Sequence, residues 1–599
     1  MKTIINSLSK QSARFAAVVA GVAMVSSCVN MDLSPTNQPS EGSVWSSPTM
    51  AMQAANGAYR GLQYPIQEAW NRFWQPFSSV QDRDANWTDF NHTYGRVTPS
   101  DGYISSFWGN NFEYAIKANA VIHNIANVPG IDPAVASRSI AECTFLRAWW
   151  HYEMNCLFQG IPYVDINITN PDECKLPRKT TDEVWDCIIK DLTDCINNAD
   201  LPDKYEKGSP QWGHITKSAC YTLRGKVYLW KKEWAKAEAD FKAVERCGHK
   251  LFTEGGNVAY KNVLKEANED CDEMIFSVCF TPDVKYGNAL HRANGVRSVF
   301  NGEGWGNFIV NPSFVDRFEN ADGSKFNWND IIPGYNEMSA SARRVYFLRD
   351  NMTEAEIEMN KNAGADMSKY LPNGNEARIY QAYENRDPRL NMTVITPYHA
   401  FYGGKWGVAQ NFISRFPFRD QGEPTLDMMT DTSAMFYYMM RKYVGEGTEV
   451  SNYYTYTDYN IFRFAEVLIN LAEALNEQGK TDEAVQVINR VRTRCGAALL
   501  NSNAATKVAG QSDMRERIQN EFYFELGGEH NLYMEEVRWN IWRKNKFYKD
   551  AEGKMNGMRQ VWGTPTYQYI DGGEHYNTWP IPQREVDNNP SMVQSPQWK

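Results

Sequence analysis

The stretch RFAEVLINLAEALNEQGKTDEAVQVINRV, residues 463–491, decides the fold. Leu468, Leu471, Ala472 and Leu475 recur at three- and four-residue steps, the spacing of one face of an α-helix. Gly479 interrupts the pattern, and Ala484, Ile488 and Val491 resume it. The reading is two antiparallel helices joined by a tight turn. Residues upstream repeat the layout, with Gly225 and Tyr228 on one helix and Ala237 and Phe241 on the next. Small residues stand where the helices cross, so that their backbones approach closely, and the offsets are those of tetratricopeptide hairpins. Further helical periodicity runs over Met50 to Leu62, Phe112 to Val128, Ser139 to Phe158 and Thr181 to Ala199. The third of these stops at Gly160 and Pro162, and the fourth starts in a capping sequence, Thr180-Thr181-Asp182-Glu183. The expected fold class is mainly α: a tetratricopeptide-like helical hairpin scaffold with a loop-rich remainder carrying the binding surface.

That remainder lies between roughly residues 255 and 455, where Gly, Asn, Pro and aromatic residues are frequent and helical periodicity is poor. Residues 301–306 (NGEGWG) and 401–407 (FYGGKWG) read as loops, and loops on a rigid scaffold are where binding residues concentrate. At 599 residues the chain exceeds one hydrophobic core. The expected division is 1–27 signal peptide, 28–45 lipidated tether, 46–255 N-terminal helical hairpins, 256–455 loop-rich region and 456–599 C-terminal hairpin region.

Composition narrows the function. With 62 basic against 72 acidic residues the chain carries a net charge of -10, which argues against a nucleic-acid partner. A mean hydropathy of -0.56 argues against a multispanning membrane protein. Yet 19 Trp, 32 Tyr and 28 Phe are present. Either the core is rich in rings, or rings are displayed to a ligand with flat apolar faces.

Lys2, Lys10 and Arg14 precede an apolar stretch from Phe15 to Val25, the layout of a secretory signal. It ends in Val25-Ser26-Ser27-Cys28, which looks like a bacterial lipoprotein processing site, with Cys28 as the acylated residue. Several acyl chains on Cys28 would hold the protein stably on a membrane. Removal of residues 1–27 would take away three positive charges and no negative one, leaving a side-chain charge of -13. The other ten cysteines show no CxxC pair, so neither a disulfide framework nor a structural zinc site is expected. Cys187 and Cys195, eight apart in a helical pattern, read as core thiols. No metal, cofactor or catalytic residue is expected. The nine His lack HExxH spacing, no EF-hand spacing is present, and no Gly-rich loop has phosphate-binding form.

The sharpest binding signal is residues 70–108, with Trp70, Trp74, Gln81, Asp82, Arg83, Asp84, Asn86, Trp87, Asn91 and Trp108. A sugar ring offers an apolar C–H face and a rim of hydroxyls. An aromatic ring covers the first, and Asp, Asn and Arg satisfy the second. One covered face is worth on the order of 1 kcal/mol at ~25 cal/mol/Å², so several contacts must add up. Trp70, Trp74 and Trp108 are expected to pack the first hairpin instead. Arg386, Asp387 and Arg389 read as a structural ion-pair knot. Glu466 and Glu473, seven apart beside Arg463, could mimic a glycosidase carboxylate pair but are expected to be scaffold salt bridges.

An ordered set of segments then resembles one family, the SusD-like (RagB/SusD) nutrient-binding outer-membrane lipoproteins. These are residues 32–36 (DLSPT), 58–62 (AYRGL), 145–148 (FLRA), 160–162 (GIP), 386–390 (RDPRL), 441–443 (RKY), 463–467 (RFAEV), 472–475 (AEAL), 489–492 (NRVR), Arg538-Trp539 and 580–585 (PIPQRE), closing with Asn589-Pro590 and Gln594. One motif departs. The family usually has Glu-Arg followed by Glu-Gly and Arg, whereas this chain has Glu521-Phe522 and then Glu525-Leu526-Gly527-Gly528-Glu529-His530. That departure puts one buried ion-pair arrangement in question. The resemblance implies four tetratricopeptide-like hairpins and no chemistry on the ligand. It implies a lipid-anchored, surface-exposed outer-membrane protein that catches oligosaccharides and passes them to a SusC-like TonB-dependent transporter. It also implies a glycan site at Trp87 and Trp305, with Asp82, Arg83 and Asn86 as hydrogen-bonding partners and Tyr286 and Trp406 as secondary contacts. The alternatives are a peptide-binding member of the same family and a glycoside hydrolase on a helical scaffold.

Overall fold

The computed structural model describes residues 41–67, 76–83, 91–281, 287–296, 304–405, 408–419, 426–430, 435–447 and 455–599. Six long helices come first: α1 (Pro48–Gln67), α2 (Gly102–Asn124), α3 (Pro133–Phe158), α4 (Thr181–Asn197), α5 (Lys217–Trp230) and α6 (Trp234–Arg246). Each packs on the next in sequence. After a long irregular stretch, α7 (Phe464–Glu477), α8 (Thr481–Cys495) and α9 (Gln511–Leu526) follow. The hairpin array is unbroken across that stretch, because α6 lies against α7. The stacked-hairpin fold is therefore the one its apolar periodicity predicts.

Local chemistry sets the helix ends. The Asp101 carboxylate accepts from the Tyr103 and Ile104 amides and starts α2; Asp132 does the same for α3, with Pro133 in the first turn. Both helices thus begin earlier than their apolar periodicity indicates, at Gly102 and Pro133, where the caps satisfy the first free amides. Thr180 and Glu183 close a reciprocal capping box on α4. Gln159, at φ 51°, ends α3 just before Gly160. The α5–α6 crossing explains Gly225: a Cβ there would lie 2.6 Å from the Phe241 ring. Of the two thiols read as core, Cys195 is buried and Cys187 only half-buried. Trp108 is buried, as expected; Trp70 and Trp74 lie outside the described residues.

The irregular stretch leaves and rejoins the scaffold at one place. Strand β2 (Met274–Val278) pairs antiparallel with β9 (Tyr459–Arg463), which runs directly into α7. A buried charge network fixes the join. Arg463 holds Glu273 at 2.7 Å, Glu525 at 2.6 Å and Glu529 at 2.8 Å. Arg389 holds Asp387 at 2.8 Å and Glu521 at 2.5 Å, Arg492 reaches Glu521 at 3.2 Å and pairs Glu319, and Arg494 pairs Glu273 and Glu525. Lys442 closes on Glu529 at 2.8 Å. Burial alone would raise the Glu525 carboxyl, but Arg494, Arg463 and Arg389 outweigh it and hold its pKa well below the usual carboxylate range. Thus the divergent 521–530 segment still supplies three buried carboxylates. Arg386 is structural too, donating to the carbonyls of Val315 at 2.8 Å and Phe318 at 2.6 Å. Glu466 pairs with Lys226 at 2.5 Å and Glu473 with Arg538 at 2.6 Å, so neither uses Arg463. Among the described residues no helix is long and apolar enough to cross a membrane.

Candidate functional site

The loop-rich region is built on a small sheet. Its strand order is β1 (Gln81–Arg83), β3 (Phe308–Val310), β8 (Tyr438–Met440) and β4 (Val394–Ile395), all antiparallel. Beside it stands a hairpin of β5 (Ala400–Lys405) and β6 (Val408–Ile413), with β7 (Leu426–Asp427) on its edge. Residues 401–405 were expected to be loop and are strand instead. Phe401 points into the core and Tyr402 outward, but Gly403 and Gly404 mask the alternation in sequence. A second hydrophobic cluster, including Val296, Ile309, Phe401, Phe412, Met428 and Met439, lies beneath sheet and hairpin and is separate from the main core.

Three chain segments meet at Gly304–Asn307. The amides of Trp305, Gly306 and Asn307 donate to the carbonyls of Arg292, Gly295 and Ala293 at 2.8, 2.9 and 2.9 Å. Gly304 lies so close to this helix end that a Cβ would sit 2.5 Å from the Val296 carbonyl. Gly306, at φ 58°, lies beside the Thr430 carbonyl. The register of β1 on β3 sets Arg83 opposite Phe308, three residues from Trp305. Arg83, the last described residue before the segment that carries Trp87, therefore lies on the same sheet edge that leads back to Trp305.

Trp305 is half-buried, with the Arg292 guanidinium 3.9 Å from its ring centroid. Asp82 is a correction to the sequence reading. It is fully buried, 3.1 Å from the Lys546 ammonium and 2.7 Å from the Asn311 amide, and it also accepts from the Tyr569 hydroxyl. Lys546 in turn donates to the carbonyls of Pro76, Ser78 and Gln81. Asp82 thus locks β1 to the C-terminal region, leaving no role at a surface. Arg83 is placed by its backbone only; Asn86, Trp87, Tyr286, Trp406 and Cys28 lie outside the described residues. Two features escaped sequence reasoning. Tyr402 is 49% exposed, with Val408 exposed on the partner strand. Arg292 lies on Trp305 through a contact that no local spacing announces.

A family model described as the SusD family matches residues 272–598, and one described as starch-binding associating with outer membrane matches residues 31–229. The chain is 20% identical over 600 residues to SusD-like protein P38 of Formosa agariphila, covering 96% of this chain and 97% of that protein. It is 23% identical over 486 residues to the starch-binding protein SusD of Bacteroides thetaiotaomicron, covering 78% of this chain and 74% of that one. A solved SusD-like protein from Bacteroides fragilis superposes over 94% of this chain and 100% of its own, with a TM-score of 0.70 at 23% identity. A laminarin-binding SusD-like protein does so over 92% and 99%, with a TM-score of 0.60 at 18% identity. At these identities the superpositions establish the hairpin architecture.

Proposed function

The chain belongs to the SusD family, and on that premise we propose that it is a lipid-anchored surface protein of the outer membrane that binds oligosaccharides and hands them to a TonB-dependent transporter. It holds its ligand without reacting it. One observation supports the site's location: Arg83 before residues 84–90, Val296 and Gly304 around 297–303, and Thr430 before 431–434 all lie at or beside Gly304–Phe308, next to the Arg292–Trp305 stack. Trp87 and Trp305 supply rings, Arg83 and Asn86 hydrogen bonds, and Tyr286, Tyr402 and Trp406 the margin. Asp82 drops out because its carboxylate is already satisfied internally. Two relatives named for starch and laminarin support a glycan ligand. The carboxylates that could have mimicked a glycosidase are taken by Lys226 and Arg538.

The test is calorimetric titration with neutral oligosaccharides and, in parallel, peptide pools. Trp87→Ala and Trp305→Ala should each weaken glycan binding about tenfold, the loss of one ring contact, with an unchanged circular dichroism spectrum. A response to peptides alone would refute the glycan reading. New reducing ends after incubation with polysaccharide would refute the non-catalytic one.

A further inference from the structure

A second cleft, of about 480 Å³, opens between residues 260–267, the short helix Leu290–Asn294 and residues 441–446. Neither Trp305 nor Tyr402 lines it. Among the described residues four cations border it (Lys261, Lys265, Arg441 and Lys442) against two carboxylates, Glu266 and Glu446. The cleft therefore reverses the sign of a chain whose net charge is -10.

The cations are not equivalent. Lys442 is committed to Glu529 and to the Glu525 carbonyl at 2.7 Å. Lys261 and Lys265 share Glu446, at 2.5 and 3.5 Å. Arg441 pairs with no carboxylate among the described residues. Its Nε and Nη2 donate to the carbonyls of Val394 at 3.2 Å and Ala400 at 2.7 Å, which fix the guanidinium without neutralising it. Burial lowers its pKa to about 10, so it stays charged at neutral pH.

His291, also lining the cleft, is 7% exposed, and neither ring nitrogen has a hydrogen-bond partner among the described residues. Buried polar side chains are nearly always satisfied, so two orphan nitrogens on one imidazole mark a place where another molecule belongs. Burial lowers the His291 pKa to about 3. The ring is neutral, one nitrogen donating and the other accepting, which suits a hydroxyl rather than a charge. The fixed cation and the hydroxyl reader together describe one ligand chemistry.

We propose that this cleft binds the acidic unit of a saccharide, an oxyanion held by Arg441 and a ring hydroxyl by His291. The volume suits one or two sugar rings. The inference rests on the oligosaccharide reading only for the sugar; the requirement for an anion stands on the cleft alone.

The test is titration of the whole chain with glucuronate, glucose 6-sulfate, glucose and inorganic sulfate, read by calorimetry and by ligand-induced shifts in melting temperature. Binding of glucuronate or of glucose 6-sulfate at least tenfold tighter than glucose and inorganic sulfate supports the proposal, and the tighter of the two identifies the oxyanion as carboxylate or sulfate. Arg441→Gln should lower that affinity about tenfold or more. His291→Phe, which keeps an aromatic ring of similar size, should lower it as well if Arg441→Gln proves too unstable to titrate. Equal binding of glucose and glucuronate, sulfate binding as tightly as glucose 6-sulfate, no binding of either acidic sugar, or unchanged affinity in both variants would each overturn it. Neutral oligosaccharides report on the aromatic face separately, so failure of one site is distinguishable from failure of the other.

Discussion

Replacement of Arg463 by Met tests whether the buried charge network holds the loop-rich region to the scaffold. Arg463 is 1% exposed and donates to three carboxylates as well as to the Glu525 carbonyl at 2.8 Å. Removing one partner of a buried ion pair costs about 3–5 kcal/mol, mostly because the remaining charge is stranded. Here each carboxylate keeps another cation: Lys442 for Glu529, Arg494 for Glu273 and Glu525. The lower half of that range applies. An unfolding entropy of about 2.1 cal/mol/K per residue gives ~1.3 kcal/mol/K for the whole chain, so the melting temperature should fall by roughly 2–3 °C. Arg490→Met is the control. Arg490 pairs with Glu245 at 2.6 Å, but both are about half exposed, and its loss should shift melting by less than about 1 °C. The pH dependence adds a second readout. Glu525 and Glu529 have folded-state pKa values below their unfolded ones, so their stabilisation is present above pH ~4.5 and is lost as pH falls through the folded values. Without Arg463 that loss should begin at a higher pH. Scanning calorimetry between pH 3 and 7 measures both effects. Equal melting of Arg463→Met, Arg490→Met and wild type at every pH would refute the reasoning.

Gly225→Val should destabilise the α5–α6 crossing by about 1–3 kcal/mol in urea unfolding, since its side chain meets the Phe241 ring; adding Phe241→Leu should recover part of that, a non-additivity that independent sites would not show. The Glu269 carboxyl is raised to about 8 by burial and by Asp458. With the folded value above the unfolded one, its stabilising contribution is complete below pH ~4.5 and disappears as pH rises through 8. Glu269→Gln should accordingly flatten the decline in melting temperature between pH 6 and 9; an unchanged decline would exclude Glu269 as its cause. Thr180→Ala removes the capping box of α4 and should cost about 1 kcal/mol by the same unfolding assay.

The helical frame was legible because its signals are local. Apolar residues three and four apart, a Gly at a crossing and a Thr–Glu cap all act within a few turns of chain. Asp82 was misread for the opposite reason. Its neighbours are polar and look exposed, whereas its partner, Lys546, is distant in sequence and meets it only in the folded chain. The 521–530 segment looked like a broken motif, yet its three carboxylates are matched by cations from four separate stretches of chain. Tyr402 was hidden by the glycines that follow it, and His291 is a single histidine that no spacing distinguishes. Of the candidate site, the sequence showed which segments carry rings; it could not show that β1 pairs with β3 and so brings two of those segments side by side.

The pairing of β2 with β9, beneath the contact of α6 with α7, has an evolutionary reading. Entry and exit of the intervening guest stretch share one doorway, and its Glu319, Arg389 and Lys442 reach back into the charge network of the host array. Changes away from Glu319, Asp387, Arg389 and Lys442 would leave the host's charge pairing intact, whereas wholesale replacement of the guest would take the Arg389 and Lys442 cations away from Glu521 and Glu529. A lineage could rewrite the guest around these anchors while inheriting the host unaltered, and relatives should diverge more steeply in the surface segments between those two strands than at Arg389 and Lys442.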